Sequence, residues 1–160
     1  MPKLIEIKSW LPEHNTGLQV PTLAGHTLPS RVGTTMRSPW RVLCLAPAEW
    51  LLISENAPPK PDSRGLVLTD VTDGVAVLNV RGPLALDVLS KGCGLDFEPR
   101  AFPLGSCART RFGQMSVIVE RVDDKPAFDL YVARSYCRFL SDWLKDAAVE
   151  FVGSPPQSRG

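Results

Sequence analysis

Few side chains in this 160-residue chain could do chemistry, and their spacing argues against catalysis. Asp70 and Asp73 flank a turn, where paired carboxylates could transfer protons, but turn aspartates more often bond their own backbone. The only histidines, His14 and His26, lie apart in a proline-rich segment, so they are expected to be solvated rather than to hold a metal. We therefore predict no catalytic residue, no bound cofactor and no metal site.

The cysteines show no spacing typical of a zinc or redox site, because none forms a CxxC pair. Cys93 follows a predicted helix C-terminus, where the negative end of the helix dipole raises a thiol pKa. No histidine lies near Cys93 or Cys107 in the sequence. Residues 1–4 run directly into mixed polar sequence, unlike a signal peptide, so we expect a cytoplasmic location. Packed, reduced thiols are expected at Cys44, Cys93, Cys107 and Cys137.

Three arginines and two tryptophans are the candidates for contact with another protein. Arg100, Arg109 and Arg111 could bind a phosphate, a carboxylate or acidic groups on a partner. The net charge is only +1 and no aromatic residues alternate with these arginines, so nucleic-acid binding is not expected. Trp10 and Trp40 are costly to leave in water. We predict that these five residues contribute to a protein–protein interface.

The composition is that of one globular domain, with 44% hydrophobic and 22% charged residues. No apolar run approaches the roughly 20 residues that span a bilayer, so no membrane partner is expected. Prolines concentrate before residue 66 and at the C-terminus. We divide the chain into an extended N-terminal arm (1–40), one domain (41–152) and a disordered tail (153–160). The arm is either flexible or ordered by lying on a partner, with a short edge strand at residues 4–7.

Apolar runs bounded by turn residues predict an α+β domain in which helices pack on antiparallel sheets. The strands are expected at residues 41–45, 50–53, 66–71, 75–80, 107–112, 115–122 and 128–132. Asp73-Gly74 favours a tight turn between the third and fourth of these strands, and the last three form a meander.

Two helices are predicted, one between the fourth and fifth of these strands and one after the last. A short helix opens at Pro83 and ends at Gly92, with a possible ion pair between Asp87 and Lys91. The final helix begins near Ser135, a good N-cap. Its apolar face comprises Tyr136, Phe139, Leu140, Trp143, Leu144 and Ala147. Residues 149–152 are expected to return as an edge strand.

The order and spacing of several motifs resemble the gamma subunits of heterotetrameric sarcosine oxidases. The resemblance covers about residues 41–151, and the run from Lys91 to Pro103 is its most specific part. The matching stretches are Leu45–Leu52, Asp70–Gly74, Val80–Pro83, Leu89–Cys93, Leu95–Pro103, Cys107–Thr110, Val132–Tyr136 and Trp143–Leu144.

This resemblance implies a fold like the folate-binding domain of aminomethyltransferases such as the glycine-cleavage T-protein. One half is expected to be reduced, because the proline-rich loop Ser54–Gly65 stands where the family places a helix. The resemblance also implies assembly with alpha, beta and delta subunits into an enzyme that oxidatively demethylates sarcosine to glycine. FAD, FMN, NAD and tetrahydrofolate are then expected in the partner subunits, with this chain as a structural subunit.

Two other functions are compatible with the sequence. A stand-alone tetrahydrofolate-binding one-carbon protein would use the same fold. Folate-binding relatives carry a carboxylate after the glycine of one hairpin, whereas Gly113 is followed here by Gln114, which argues against folate binding. A self-associating scaffold unrelated to flavins is the third possibility.

Overall fold

The computed structural model describes residues 1–62 and 64–153. The strands are β1 (Lys3–Ser9), β2 (Thr22–Leu23), β3 (His26–Thr27), β4 (Thr35–Met36), β5 (Arg41–Ala46), β6 (Glu49–Ser54), β7 (Leu66–Asp70), β8 (Val75–Arg81), β9 (Cys107–Phe112), β10 (Met115–Asp123) and β11 (Ala127–Ala133). The α-helices are α1 (Pro12–Asn15), α2 (Ala85–Gly92) and α3 (Cys137–Val152).

The first sheet is antiparallel and has the strand order β4-β5-β6-β1-β7. β1 lies in its interior, with Ile5 opposite Leu52 on β6 and Asp70 on β7. Ile5 and Ile7 are buried, because alternate residues of a strand point to the same face. The prediction of an edge strand at residues 4–7 is therefore wrong: the strand exists, but it has a neighbour on both sides.

The segment between β1 and β4 covers the outer face of this first sheet. Leu23 and Leu28 are buried in the same cluster as Ile7 and Trp50. The Trp50 indole N–H also donates to the Pro29 carbonyl oxygen at 2.7 Å. Since β1 and these leucines belong to the body of the domain, a separate arm would have to be shorter than the predicted residues 1–40. Of the predicted tail, residues 154–160 lie outside the described residues.

The second sheet has the order β8-β11-β10-β9 and contains the predicted meander β9-β10-β11. α2 and α3 pack against one of its faces, where Leu89, Phe128 and Leu140 are completely buried. Gly92, the last residue of α2, packs against the side chains of Trp143 and Phe112. A Cβ atom at this position would be 2.5 Å from Trp143 Cη2 and 2.7 Å from Phe112 Cδ1. The glycine is therefore required by close packing.

β7 and β8 belong to different sheets, although a tight turn was predicted between them. β7 pairs with β1, β8 pairs with β11, and a 3-10 helix at Thr72–Gly74 carries the chain from one sheet to the other. The two sheets pack face to face around a cluster that includes Leu43, Leu51, Cys107 and Tyr131.

The C-terminal segment of the described chain is helical up to Val152. α3 runs to Val152, so the edge strand predicted at residues 149–152 is wrong. A 3-10 turn at Arg134–Tyr136 precedes it, and no side-chain hydrogen bond caps the helix. Of the predicted apolar face, Leu140 and Leu144 are buried, whereas Phe139 is exposed.

These elements confirm the predicted α+β fold with antiparallel sheets and packed helices. Residues 55–62 contain no helix, in agreement with the proline-rich loop predicted there. Among the described residues, no helix is long and apolar enough to cross a membrane.

Candidate functional site

The two predicted interface tryptophans differ in how accessible they are. Trp10 follows β1 and is 69% exposed, while its backbone N–H donates to the Gly65 carbonyl oxygen at 3.2 Å. Trp40 is half-buried and contacts the His26 ring edge-to-face, with 5.4 Å between centroids. Trp10 is therefore available to a partner on an anchored backbone, whereas Trp40 already packs within the chain.

The three predicted interface arginines lie on two elements. Arg109 and Arg111 share one face of β9, and Arg100 lies in the loop between α2 and β9. Arg109 Nη1 is 3.1 Å from Glu49 Oε2, with the two side chains 42% and 33% exposed. An exposed pair of this kind contributes at most about 1 kcal/mol. Arg100 and Arg111 are exposed, and no carboxylate of the described residues forms a salt bridge with either.

A completely buried arginine, Arg121, organises the loop that carries Arg100. Its side chain donates to the carbonyl oxygens of Phe97 and Phe102 at 3.3 and 3.1 Å. The guanidinium also lies 5.5 Å from the centroid of the Phe128 ring. The loop backbone is thus tied to the second sheet by hydrogen bonds to a charged group, which are stronger than neutral ones. Arg121 was not among the residues predicted to be important, although its sequence signal is a charged pair, Glu120-Arg121, inside the apolar run of β10.

A cluster of charged and polar groups lies between the two sheets. Glu120 is 0% exposed and accepts a hydrogen bond from the Tyr131 hydroxyl at 2.8 Å. Arg41 donates to the same hydroxyl oxygen at 2.9 Å, and its guanidinium lies 3.5 Å from Glu120 Oε2 and 3.4 Å from Asp129 Oδ2. Asn79 Nδ2 donates to Asp129 Oδ1 at 2.6 Å. This cluster links β5 of one sheet to β10 and β11 of the other.

Burial dominates the electrostatics of this cluster. It raises the pKa of the Glu120 carboxyl, and the nearby Arg41 charge and Tyr131 hydroxyl offset only part of that effect. Burial likewise raises the pKa of Tyr131, and the Glu120 charge adds to the increase. For Arg41, burial acts to lower the pKa, but Tyr131, Glu120 and Asp129 outweigh it and the net pKa is raised. The guanidinium therefore stays charged and crosslinks the sheets.

The cysteines are free thiols, and three of them are buried as predicted. Burial raises the pKa of the Cys107 thiol to about 11 and also raises that of Cys44. Cys93 Sγ lies 3.2 Å from the Thr110 hydroxyl. Because the thiolate is the nucleophile, Cys44 and Cys107 are poorly suited to react.

His14 is buried, so the prediction of a solvated side chain is wrong for this residue. Its Nδ1 atom lies 2.6 Å from Ser9 Oγ, and that oxygen also accepts the Leu11 backbone N–H at 3.2 Å. The serine therefore bridges the end of β1 and the start of α1. This local turn structure explains the contact without a catalytic role.

Asp70 behaves as predicted for a turn aspartate, since its side chain bonds the backbone of the turn. Its carboxylate accepts from the Thr72 N–H at 3.0 Å, from the Thr72 hydroxyl and from Lys3 Nζ at 3.2 Å. These hydrogen bonds lower the pKa of Asp70 to about 2. In the described residues, no group of three or more histidine, cysteine, aspartate or glutamate side chains could hold a metal ion.

A groove of about 450 Å³ lies between β8, the segment that follows it, and α3. Its walls are mainly apolar, and its charged lining residues are Arg81 and Lys145. The apolar lining residues include Leu78, Val80, Leu84, Val88 and Leu144.

The sequence of this chain is similar to that of a known family and of several known proteins. Residues 45–155 match the family described as GCVT N-terminal domain. A protein described as sarcosine oxidase subunit gamma from Corynebacterium sp. (strain P-1) is 31% identical over 141 residues, which are 82% of this chain and 68% of that protein. Its namesake from Corynebacterium sp. (strain U-96) is 30% identical over 144 residues, which are 85% of this chain and 66% of that protein. The chain thus spans about two thirds of the length of both relatives.

A solved structure shares the fold. It is described as heterotetrameric sarcosine oxidase from Corynebacterium sp. U-96 in complex with pyrrole 2-carboxylate. The superposition has a TM-score of 0.79 at 23% sequence identity, and it covers 98% of this chain and 84% of the matched chain.

Proposed function

This chain belongs to the family of sarcosine oxidase gamma subunits, and we propose that it is the non-catalytic structural subunit of a heterotetrameric sarcosine oxidase. The observation that carries the proposal is the family match over most of the chain. It confirms the family resemblance predicted from the motifs. Enzymes of this type oxidatively demethylate sarcosine to glycine with O2 and tetrahydrofolate.

Accessible apolar side chains support a role inside an assembly. Trp10, Leu18, Phe139 and Val152 are all exposed, although each is large and apolar. Burial of such side chains in a subunit interface removes apolar surface from water, at about 25 cal/mol per Å². The proposed partners are the alpha, beta and delta subunits.

The cofactors are assigned to those partners. FAD, FMN, NAD and tetrahydrofolate are proposed to bind the other subunits, and assembly is proposed to take place in the cytoplasm. We assign the Arg41–Glu120 cluster to the stability of this chain itself, because it lies between the sheets and crosslinks them.

Within the predicted interface set, accessibility ranks the residues. Trp10, Arg100 and Arg111 are the main proposed contacts, since their side chains are exposed. Arg109 is engaged with Glu49 and Trp40 packs against His26, so we assign both a smaller share. Buried aromatic and arginine side chains commonly supply most of the binding energy of an interface.

A stand-alone tetrahydrofolate-binding protein is the less favoured alternative, because the relatives are named as oxidase subunits. Gln114 is exposed in the β9–β10 turn, where folate-binding relatives carry a carboxylate. Calorimetric titration of the isolated chain with tetrahydrofolate separates the two functions. Micromolar binding would favour the alternative.

Co-expression with the alpha, beta and delta subunits from the same source tests the main proposal. A tag on this chain is expected to recover all four subunits with both flavins. Trp10→Ala is expected to weaken recovery about tenfold or more, because a tryptophan anchor contributes about 2 kcal/mol or more. Lys60→Ala, an exposed site in the loop before β7, is the control. Recovery of the tagged chain alone would refute the proposal.

A further inference from the structure

One side of β8 has backbone groups that its own sheet does not use. β8 is the edge strand of the second sheet and pairs only with β11 in the described structure. The Gly82 N–H donates to the Pro126 carbonyl at 3.0 Å, which continues the register one residue beyond Arg81–Ala127. Because amide groups alternate in direction along a strand, Val77, Asn79 and Arg81 direct their N–H and C=O groups away from β11.

These three residues are also accessible to solvent. Val77, Asn79 and Arg81 are all exposed, whereas Ala76, which precedes them on β8, is buried. An exposed edge of this length would pair with any suitable chain unless it is covered or blocked. β8 contains no proline and no lysine, and the only charged residue on it is Arg81.

The apolar groove lies directly beside this edge. Leu78 and Val80 alternate with the outward-facing residues and form one wall, and Leu144 and Ala148 of α3 contribute to the other. Among the described residues, the lining includes two cations, Arg81 and Lys145, and no carboxylate. Arg81 Nη2 lies 3.7 Å from Asp129 Oδ1, whereas no carboxylate of the described residues forms a salt bridge with Lys145.

We propose that β8 and this groove form a docking site for an extended segment of another protein, which adds a strand to the sheet and places apolar side chains in the groove and a carboxylate near Lys145. Backbone hydrogen bonds supply affinity in this mode, and the pockets for alternate side chains supply specificity. The charge of the lining selects an acidic partner. A second copy of this chain would bring two positive grooves together, so it fits less well.

This inference rests on the proposed function, since the segment is assigned to another oxidase subunit. The first test uses the co-expressed complex and two pairs of variants. Val77→Pro removes an outward N–H that the sheet does not use, and Val77→Ala keeps it. Lys145→Glu reverses the charge in the groove, and Lys60→Glu reverses an exposed charge in the loop before β7. Circular dichroism melting checks that each variant is folded.

Val77→Pro and Lys145→Glu are each expected to weaken assembly at least about tenfold, whereas Val77→Ala and Lys60→Glu stay within about threefold of the unaltered chain. Hydrogen exchange in the complex is expected to slow at the amides of Val77, Asn79 and Arg81. Two results together would contradict the docking site while leaving the proposed function intact. The complex would form without any change in hydrogen exchange at these amides, and all four variants would assemble as well as the unaltered chain.

A second test does not depend on the oxidase. The probe is a synthetic seven-residue peptide of alternating valine and glutamate, which matches the length of β8. The acidic peptide is expected to shift the amide NMR signals of β8, and a lysine-for-glutamate version is not. Equal shifts with both peptides, or none with either, contradict the proposal. A dimer of the chain that Val77→Pro abolishes would identify a second copy as the occupant and likewise overturn it.

Discussion

The buried charge cluster makes a quantitative prediction for Arg41→Met. The substitution removes the only cation within 4 Å of Glu120 in the described structure and leaves that buried carboxyl with the Tyr131 hydroxyl. Asp129 keeps Asn79 and Arg81 as partners. Two other charges act on the pKa of Glu120: the Asp129 carboxylate raises it, and the Arg37 guanidinium lowers it by a smaller amount. Glu120 is therefore the group whose ionisation the substitution penalises most.

The free energy of unfolding that Arg41→Met is expected to remove depends on pH. The folded-state pKa of Glu120 already lies above its ordinary value of 4.5, and removal of Arg41 raises it further. The folded state then binds more protons than the unfolded state above pH 4.5, so stability falls as the pH rises through that range. Breaking a buried pair costs about 3–5 kcal/mol, and we expect about 3 kcal/mol at about pH 8 because the Arg41 side chain is 32% exposed. At about pH 4 the loss falls to about 1 kcal/mol, the contribution of the hydrogen bond to Tyr131.

Urea unfolding followed by tryptophan fluorescence measures both values. Adding Glu120→Gln to Arg41→Met is expected to recover most of the loss at the higher pH, since position 120 then carries no buried carboxylate that could ionise. Arg109→Met is the matched control: it breaks the exposed pair with Glu49 and is expected to cost at most about 1 kcal/mol at either pH. An equal cost of Arg41→Met at both pH values, or no recovery on adding Glu120→Gln, would show that the ionisation of Glu120 does not cause the loss.

Three further outcomes are expected. Asp70, with its pKa lowered from 3.8 to about 2, stabilises the fold above pH 3.8, and this contribution is lost as the pH falls through about 2. Asp70→Asn should flatten the pH dependence of urea unfolding in that window, and an unchanged slope would contradict the assignment. Gly92→Ala should lower the free energy of unfolding by about 1–3 kcal/mol, because the new methyl group meets Trp143 and Phe112, whereas Gly94→Ala, with open space around it, should change it by less than about 0.5 kcal/mol. Cys107, with a pKa of about 11, should be alkylated only after unfolding, later than the half-buried Cys137, as mass spectrometry of timed samples can show.

Sequence patterns correctly predicted the strands that pair with a strand adjacent to them in the chain. The meander β9-β10-β11 follows from alternating apolar residues joined by short turns, because a two-residue connection such as Gly113-Gln114 leaves adjacent strands little choice but to pair. The interior position of β1 did not follow from its sequence. Its partners β6 and β7 lie more than 40 residues away, and apolar alternation states which face is buried but not how many neighbours a strand has.

The same distinction holds for the side chains. The exposed positions of Arg109 and Arg111 follow from their alternation with the less polar, half-buried Ala108 and Thr110. This surface, the α+β class and the family could therefore be predicted from the sequence. The contact of Arg41 with Glu120 and the hydrogen bonds of Arg121 to the Phe97–Phe102 loop could not be predicted from the sequence. These contacts join residues that are distant in the chain. Their net energy depends on packing, because burial removes the charges from water at a cost and strengthens the attraction between them.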